Sequence, residues 1–220
     1  MLKNRVILAM DKYIPLEILS EIESEVYGLK IGLPLVLDLG LEKVRNLVKE
    51  VNIEEIIVDF KLADIGYVMK SVVEKMLFAD SFIAHSFIGV KGSLDELKSY
   101  LDEKGKGLYL VASMSHSGWN NSFLSYIKEV IKEINPKGIV IGATKTDLIS
   151  SFKREFSSIK IISPGVGVQG ANYGDAICAG ADFEIIGRSI YTAKDPVNQL
   201  KSINKIIEDR VMNCKGRVPK

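Results

Sequence analysis

Three charged residues end an otherwise apolar run in the segment IIVDFKLADIG, residues 56–66. They are Asp59, Lys61 and Asp64, in the pattern Asp-x-Lys-x-x-Asp. If the run is a strand, Asp59 and Lys61 point to the same side because they lie two residues apart, whereas Asp64 falls in the following loop. Burying such charges costs several kcal/mol unless they are paired. The pattern indicates either a supporting ion pair or a site where an ammonium group acts beside carboxylates, and we favour the site.

A second segment has the composition of an anion-binding loop. Residues 163–172 read SPGVGVQGAN, in which Gly165, Gly167 and Gly170 surround Gln169. Glycines let backbone N–H groups approach an anion closely, and loops of this kind bind phosphate. Arg188, which follows EIIG further along the chain, can contact two phosphate oxygens at once. The loop and the arginine together predict a phosphate site; the simpler alternative is a glycine-rich turn beside a solvated arginine.

Short β-branched runs alternate with segments of helical periodicity along the chain. The eight candidate strands are RVILAMD, YGLKIG, EEIIVDFKL, SFIAHSF, GLYLVASM, GIVIGAT, IKIISPG and FEIIGRS. Among the helical segments, residues 121–134 place Phe123, Ile127, Val130, Ile131 and Ile134 on one face. Apolar strands that alternate with amphipathic helices indicate a parallel sheet covered by helices.

The number of these units favours a closed sheet. Eight βα units in 220 residues leave about 27 residues for each, close to the size of a compact (β/α)8 barrel. An open doubly wound sheet would carry a glycine-rich turn after its first strand, but AMDKYIP at that point contains no glycine. We therefore predict an α/β fold, a single-domain (β/α)8 TIM barrel over residues 1–220, with a basic and loosely docked C-terminal tail from about residue 211.

The composition limits the classes of function. A formal net charge of +1 with 47% apolar residues predicts a globular protein whose partners are neither nucleic acid nor an anionic membrane. Cys178 and Cys214 are too few for a disulfide framework and lack metal-ligand spacing, which fits a reducing cytoplasm. The first apolar run ends at Asp11, too early for a signal peptide. No stretch approaches the ~18 apolar residues of a membrane span, so we expect a soluble cytoplasmic protein.

In such a barrel the chemistry belongs at the carboxyl ends of the strands, and six of the eight predicted strands end in polar or glycine-rich residues. In chain order these ends carry Asp11, Lys30, Asp59 with Lys61, Ser113 with Ser115, the glycine-rich loop, and Gly187 with Arg188.

The two histidines do not suggest a catalytic role. Ser115 and His116 are adjacent, so on a strand they would face opposite sides and could not form a nucleophile–base pair. His85 ends an apolar strand, and we interpret it as a hydrogen-bonded packing residue. With two histidines in the chain, we expect no histidine-based metal site.

Four motifs carry a resemblance to a known family. DFKLADIG, MSHSG, SPGVGVQG and IIGRSIY, in this order, resemble the orotidine 5'-monophosphate decarboxylases in their short archaeal and bacterial form. The resemblance spans essentially the whole chain. It implies a dimeric barrel that removes CO2 from orotidine 5'-monophosphate to give UMP, the last step of de novo UMP synthesis, with no metal or organic cofactor.

The resemblance also implies roles for the charged residues. Lys61 would protonate C6 of the pyrimidine after CO2 leaves, and Asp59 would lie near the substrate carboxylate. Lys30 would join them in an alternating array, Lys30–Asp59–Lys61–Asp64. Asp64 and Ile65 would reach into the neighbouring site of a homodimer.

The same resemblance distributes the rest of the nucleotide over the strand ends. Asp11 and Lys30 would contact the ribose, Ser115 the pyrimidine ring, and Gln169 and Arg188 the phosphate. The remaining substrate-binding residues are Pro164, Gly165, Gly167 and Gly187. Two positions depart from the family pattern: Val68 stands where threonine is common and Ser117 where proline is frequent.

Three alternatives remain open. A Mg²⁺-dependent 3-keto-gulonate-phosphate decarboxylase or hexulose-phosphate synthase shares the charged pattern, but it would need a glutamate at the end of the second strand, where Lys30 would repel the metal. A phosphosugar isomerase or epimerase would need histidine and carboxylate ligands. A non-catalytic nucleotide-binding barrel would have no need of intact Asp59, Lys61 and Asp64.

Overall fold

The computed structural model describes residues 4–214 and shows a closed barrel of eight strands. The strands are β1 (Val6–Met10), β2 (Gly28–Gly32), β3 (Glu55–Leu62), β4 (Ser81–His85), β5 (Gly107–Ser113), β6 (Gly138–Ile141), β7 (Lys160–Pro164) and β8 (Phe183–Ile186). Each strand pairs in parallel with the next one in sequence, and β8 closes the barrel by pairing in parallel with β1. The predicted (β/α)8 TIM barrel is confirmed.

Helices follow the strands and cover the outside of the barrel. They are α1 (Leu16–Ile22), α2 (Leu33–Leu39), α3 (Leu41–Lys49), α4 (Gly66–Lys75), α5 (Asp95–Glu103), α6 (Leu124–Ile134), α7 (Thr146–Glu155), α8 (Asp175–Cys178), α9 (Arg188–Tyr191) and α10 (Pro196–Cys214). Of the helices in the described part of the chain, none is long and apolar enough to cross a membrane.

The predicted apolar stripe of residues 121–134 is correct except at its first member. Ile127, Val130, Ile131 and Ile134 are buried on α6, but Phe123 is 51% exposed. Phe123 lies in a 3₁₀ turn (Asn121–Phe123) that precedes the helix. The Asn120 side chain accepts the Ser122 N–H at 2.9 Å and holds this turn, so the α-helical stripe begins one turn later than the sequence pattern suggests.

Strand alternation separates two apolar cores. On β1, Ile7 points into the barrel, whereas Val6 and Leu8 face the helices. The inner core is closed near the amino ends of the strands by Tyr27, which stacks on Phe183 with ring centroids 3.9 Å apart. Alternation with a period of two therefore fills both the barrel interior and the layer beneath the helices.

A buried carboxylate braces the amino ends of the strands, opposite the predicted site. Glu55 at the start of β3 accepts hydrogen bonds from Lys137 Nζ and Ser81 Oγ, each at 2.6 Å, and from the Tyr109 hydroxyl at 3.1 Å. Burial alone would raise the pKa of Glu55, but these hydrogen bonds and the lysine charge bring it below its ordinary value. Glu55 thus ties together three strands and the residue just before β6, and the barrel is firmly closed at this end.

The C-terminal segment differs from the expectation. Residues 211–214 are the last residues of α10 rather than a loosely docked tail, while residues 215–220 of the predicted tail lie outside the described residues. Cys214 at the end of α10 is disulfide-bonded to Cys178 at the end of α8. A sequence separation of 36 gave no sign of this proximity, which arises because α10 packs against α8. Because the two cysteines are bonded, they no longer argue for a reducing compartment. The bond does not argue against an intracellular location either, because intracellular proteins of hyperthermophiles contain disulfides.

We expect the disulfide to contribute to stability. Closing a loop over a sequence separation of 36 removes unfolded-state entropy worth about 3–4 kcal/mol. Cys214→Ser should therefore lower the melting temperature by roughly 6–15 °C for a chain of this size. Scanning calorimetry of the variant and of wild type with and without a reductant checks this. Cys178→Ser should match Cys214→Ser, and identical melting temperatures for oxidised and reduced wild type would contradict the expectation.

Candidate active site

A cavity of about 550 Å³ opens at the carboxyl ends of the strands, where the barrel prediction placed the chemistry. Most of the predicted site residues line it: Asp11, Lys30, Asp59, Lys61, Ser115, Pro164, Gln169, Gly187 and Arg188. Gly165 and Gly167 alternate with the lining residues Val166 and Val168 in the same loop. Asp64 and Ile65 lie outside the cavity of their own chain.

Asp59, near the end of β3, is the centre of a buried charge array. Its carboxylate accepts Lys61 Nζ at 2.9 and 3.0 Å and pairs with Lys30 Nζ at 2.9 Å. Lys30 Nζ also lies 4.0 Å from Asp11 Oδ1. Burial alone would raise the pKa of Asp59, but the two ammonium groups outweigh it and bring the pKa below its ordinary value. An ionised carboxylate with an ammonium on either side avoids most of the cost of burial.

Lys61 reaches this array through an irregularity of β3. The residue has a positive φ of 46°, and the pairing of β3 with β4 shifts register between Val58 and Leu62. A left-handed backbone at a residue with a side chain costs about 1–2 kcal/mol, and bulges beside active sites often redirect a side chain. We predicted that Asp59 and Lys61 lie together because residues two apart on a strand share a side. The two side chains do meet, but the irregularity of β3 brings them together and regular alternation does not.

Asp64 and Ile65 do not take part in the charge array of their own chain. The Ile65 N–H donates to Asp64 Oδ1 at 2.7 Å, and the Asp64 carbonyl accepts Ser93 Oγ–H at 2.9 Å. Ile65 is 60% exposed and Tyr67, the second residue of α4, is 72% exposed. Among residues 4–214, Asp64 forms no ion pair with Lys30 or Lys61, so a single chain brings together Lys30, Asp59 and Lys61 without the predicted fourth member.

The glycine-rich loop after β7, residues 165–174, has the backbone geometry that its composition predicts. Gly165, Gly167 and Gly170 have φ values of 99°, 72° and 104°, a region that favours glycine. The Gly167 N–H donates to the Ala171 carbonyl at 2.8 Å and folds the loop back on itself. A Cβ on Gly165 would lie 2.8 Å from the Ser115 Cβ, so close packing also requires glycine there.

Two loops meet across the mouth of the cavity. Ser115 Oγ, in the loop after β5, is hydrogen-bonded to Gln169 Oε1 in the glycine-rich loop at 2.9 Å. Arg188, the first residue of α9, follows β8 after the single residue Gly187 and lines the same cavity as Gln169. The residues predicted to bind phosphate and the charge array therefore line one cavity.

The apolar floor of the cavity was not predicted from the sequence. Ile83, Val111, Val140 and Ile185 line it from below and belong to the inner core of the barrel. Strand alternation at the ends of β4, β5, β6 and β8 was the signal that could have identified them. Because they exclude water beneath the charge array, they strengthen the electrostatic interactions above them.

The residues set aside as non-catalytic behave mostly as expected. Ser115 is hydrogen-bonded to Gln169 rather than to His116. His85 packs its ring against Phe87 with centroids 4.7 Å apart, but the expected hydrogen bond is absent, since its Nδ1 is buried without a partner in the described part of the chain. Burial and the nearby Lys61 charge lower the pKa of His85, which favours the neutral imidazole.

Comparison with known proteins agrees with the motifs. Residues 4–203 match the family model described as Orotidine 5'-phosphate decarboxylase / HUMPS family. The orotidine 5'-phosphate decarboxylase of Saccharolobus solfataricus is 65% identical over 218 residues, covering 99% of this chain and 98% of the relative. That of Sulfurisphaera tokodaii is 51% identical over 210 residues, covering 95% and 98%.

Solved structures give the same result. The crystal structure of orotidine 5'-monophosphate decarboxylase from Sulfolobus solfataricus superposes with a TM-score of 0.94 at 65% identity, over 95% of this chain and 100% of that one. The enzyme from Methanocaldococcus jannaschii complexed with inhibitor BMP gives 0.84 at 28% identity, over 93% and 98%. The family suggested by the four sequence motifs is confirmed, and this chain belongs to the orotidine 5'-phosphate decarboxylase / HUMPS family.

Proposed function

We propose that this chain decarboxylates orotidine 5'-monophosphate to UMP and CO2, with Lys61 as the proton donor to C6. The observation that carries the proposal is the Lys30–Asp59–Lys61 array, with both ammonium groups 2.9 Å from one carboxylate oxygen, in the same cavity as the glycine-rich loop and Arg188. The family membership and the names of the relatives support the same activity.

The chemistry explains why an ammonium group belongs at this position. When the bond between C6 and the carboxylate carbon breaks, its electron pair stays on C6, which has no good resonance acceptor. A fixed positive charge beside C6 stabilises that charge, and a proton from Lys61 Nζ then forms the new C6–H bond. The Lys61 side chain is 41% exposed, so it faces the open cavity where the ring would lie.

Asp59 would act on the other end of the breaking bond. Its carboxylate, kept ionised by Lys30 and Lys61, would face the carboxylate of the substrate. The repulsion between them falls as CO2 leaves without charge, so it raises the ground state more than the transition state. The apolar floor below would exclude water from this region.

The phosphate side would supply binding energy at a distance from the reaction. Gln169 and Arg188 would bind the phosphate with backbone from Pro164, Gly165, Gly167 and Gly187, and Asp11 and Lys30 would contact the ribose. Ser115 would contact the pyrimidine, and its contact with Gln169 at 2.9 Å would couple the ring to the phosphate loop. Such remote interactions can drive loop closure and hold the ring against the charge array.

We also propose a homodimer in which Asp64 and Ile65 complete the site of the neighbouring subunit. Both residues lie outside the cavity of their own chain, and Ile65 and Tyr67 are exposed apolar side chains beside them. Val68 on the same face is 38% exposed, so the position at which the family commonly has threonine would contribute an apolar contact instead. We propose a cytoplasmic location because charged nucleotides do not cross membranes unaided.

The Mg²⁺-dependent alternatives on this scaffold are less compatible with the charge pattern. The ammonium of Lys30 lies between Asp11 and Asp59, 4.0 and 2.9 Å from their oxygens. It therefore occupies the position from which these carboxylates would bind a divalent cation, and its charge repels one.

Purified protein should decarboxylate orotidine 5'-monophosphate in the presence of EDTA, and the reaction can be followed as loss of ultraviolet absorbance.

Lys61→Ala should lower kcat by about 10⁴-fold or more, because it removes both the proton donor and the charge beside C6. Its affinity for UMP should change by less than about tenfold, since the phosphate contacts are intact. Lys128→Ala, which removes a helix-surface lysine paired with Glu155, is the control; retention of substantial rate by Lys61→Ala would rule out its proposed role.

Arg188→Ala should weaken phosphorylated ligands selectively. Loss of a charge-assisted contact should lower UMP affinity by about 10–100-fold, while affinity for uridine stays unchanged. Calorimetric titration with both ligands measures the difference. Arg45→Ala, at an exposed pair with Glu42, is the matched control, and an equal loss for uridine and UMP would contradict phosphate binding by Arg188.

Mixing two inactive variants tests the shared site. In a heterodimer of Lys61→Ala with Asp64→Ala, one site would receive a normal Lys61 and a normal partner Asp64. Random exchange of subunits should therefore restore about one quarter of wild-type activity. If Asp64 acts within its own chain, every site is defective and the mixture stays inactive.

A further inference from the structure

Glu184 is a buried carboxylate that the proposed reaction does not use. It lies on β8 between Phe183 and Ile185, which point into the barrel, and it therefore faces the layer between strands and helices. Its relative exposure is 0%. A carboxylate in an apolar layer is costly unless its oxygens accept hydrogen bonds, so its partners indicate what the residue does.

Those partners are backbone groups at the end of the glycine-rich loop. The Gly174 N–H donates to both carboxylate oxygens of Glu184, at 3.0 and 2.9 Å, and the Ala176 N–H donates to Oε1 at 3.1 Å. Because these N–H groups lie at the start of α8, they have no acceptor within the helix. Glu184 thus joins β8 to the point where the loop ends.

The segment that Glu184 holds is in contact with the middle of the loop, which contains residues that would bind phosphate. Tyr173, next to Gly174, places its hydroxyl oxygen 2.8 Å from where a Cβ on Gly167 would be. Gly167 is in turn fixed to Ala171 by its N–H, at 2.8 Å from the carbonyl oxygen. A shift of Gly174 would therefore move Tyr173 against the middle of the loop.

The same segment is held from the outside by α10. Arg210 forms an ion pair with Asp175, and a Cβ on Gly174 would lie 2.9 Å from the Arg210 side chain. The disulfide between Cys178 and Cys214 fixes the other end of α8. The pKa of Glu184 is raised to about 7, chiefly by burial and to a smaller extent by Asp175, although the N–H groups of Gly174, Ala176 and Ile177 act in the opposite direction. These bonds therefore offset part of the cost of ionising Glu184 in this layer.

We propose that Glu184 is a positioning residue for the phosphate site: by fixing Gly174 and Ala176 it pre-organises loop 165–174 and so contributes to selectivity for phosphorylated over unphosphorylated ligands. The inference rests on the proposed function of that loop. Glu184 need not touch the substrate, because the loop would lie between them.

Glu184→Leu and Glu184→Gln test the proposal through the ratio of two substrates. Leu leaves both N–H groups without an acceptor, whereas Gln keeps one acceptor oxygen and places an amide nitrogen near the Gly174 N–H. We expect kcat/KM for orotidine 5'-monophosphate to fall about 10–100-fold with Leu and about 3–10-fold with Gln, since small misplacements of a binding group have effects of this size. The rate with orotidine, which lacks the phosphate, should stay within about twofold, and UMP affinity should fall without a change for uridine.

Glu55→Gln is the matched control, because Glu55 is a carboxylate of nearly equal burial whose hydrogen bonds go to Lys137, Ser81 and Tyr109 and not to the glycine-rich loop. It should alter stability without altering the ratio between the two substrates. Equal losses for both substrates in the Glu184 variants, or no loss, would overturn the inference. If Glu184→Leu does not fold, the nearly isosteric Gln variant decides alone. Failure of the proposed function would be seen separately, as a wild-type protein that does not prefer the phosphorylated substrate.

Discussion

The pairing of one buried carboxylate with two ammonium groups is the constraint on which the site depends. Asp59 is 8% exposed and lies within 3.0 Å of Nζ atoms from Lys30 and Lys61. If either lysine were displaced, the carboxylate would be left with uncompensated charge in a poorly solvated position. The bulge at the end of β3 and the left-handed backbone of Lys61 are the local distortions that allow all three groups to meet.

The barrel provides two separate kinds of rigidity for this arrangement. Strands carry the charge array, since Lys30 and Asp59 lie on β2 and β3, which are paired along their length. The glycine-rich loop forms another part of the cavity, where rigidity comes from the hydrogen bonds of the loop and from the anchoring of α8. The Ser115–Gln169 contact joins the loops after β5 and β7. A ligand with a phosphate at one end and a reactive ring at the other would be fixed by both.

Much of this could be predicted from the sequence because the signals are local. Eight apolar strands, their polar ends and the glycine-rich loop each follow from residue type and periodicity, and they located the cavity correctly. Most of the features that were missed depend on contacts between separate elements of the fold. The irregularity at Lys61 depends on the register of β3 against β4. The Cys178–Cys214 bond depends on the packing of α10 on α8, and the role of Glu184 depends on its hydrogen bonds to the segment at the end of the glycine-rich loop. The exposed position of Phe123 depends on a capping turn that the apolar stripe does not reveal.

The covalent bond between α8 and α10 changes how the end of the barrel can come apart. Residues 178–214 form a closed ring that contains β8, Arg188 and Glu184. A helix on the outside of a fold can often detach by itself. Here α10 stays covalently attached to α8 even when its packing contacts are lost. Partial opening of this region should therefore be a single cooperative event. The last βα unit, which carries Arg188 and Glu184, should therefore open more slowly than it would without this bond.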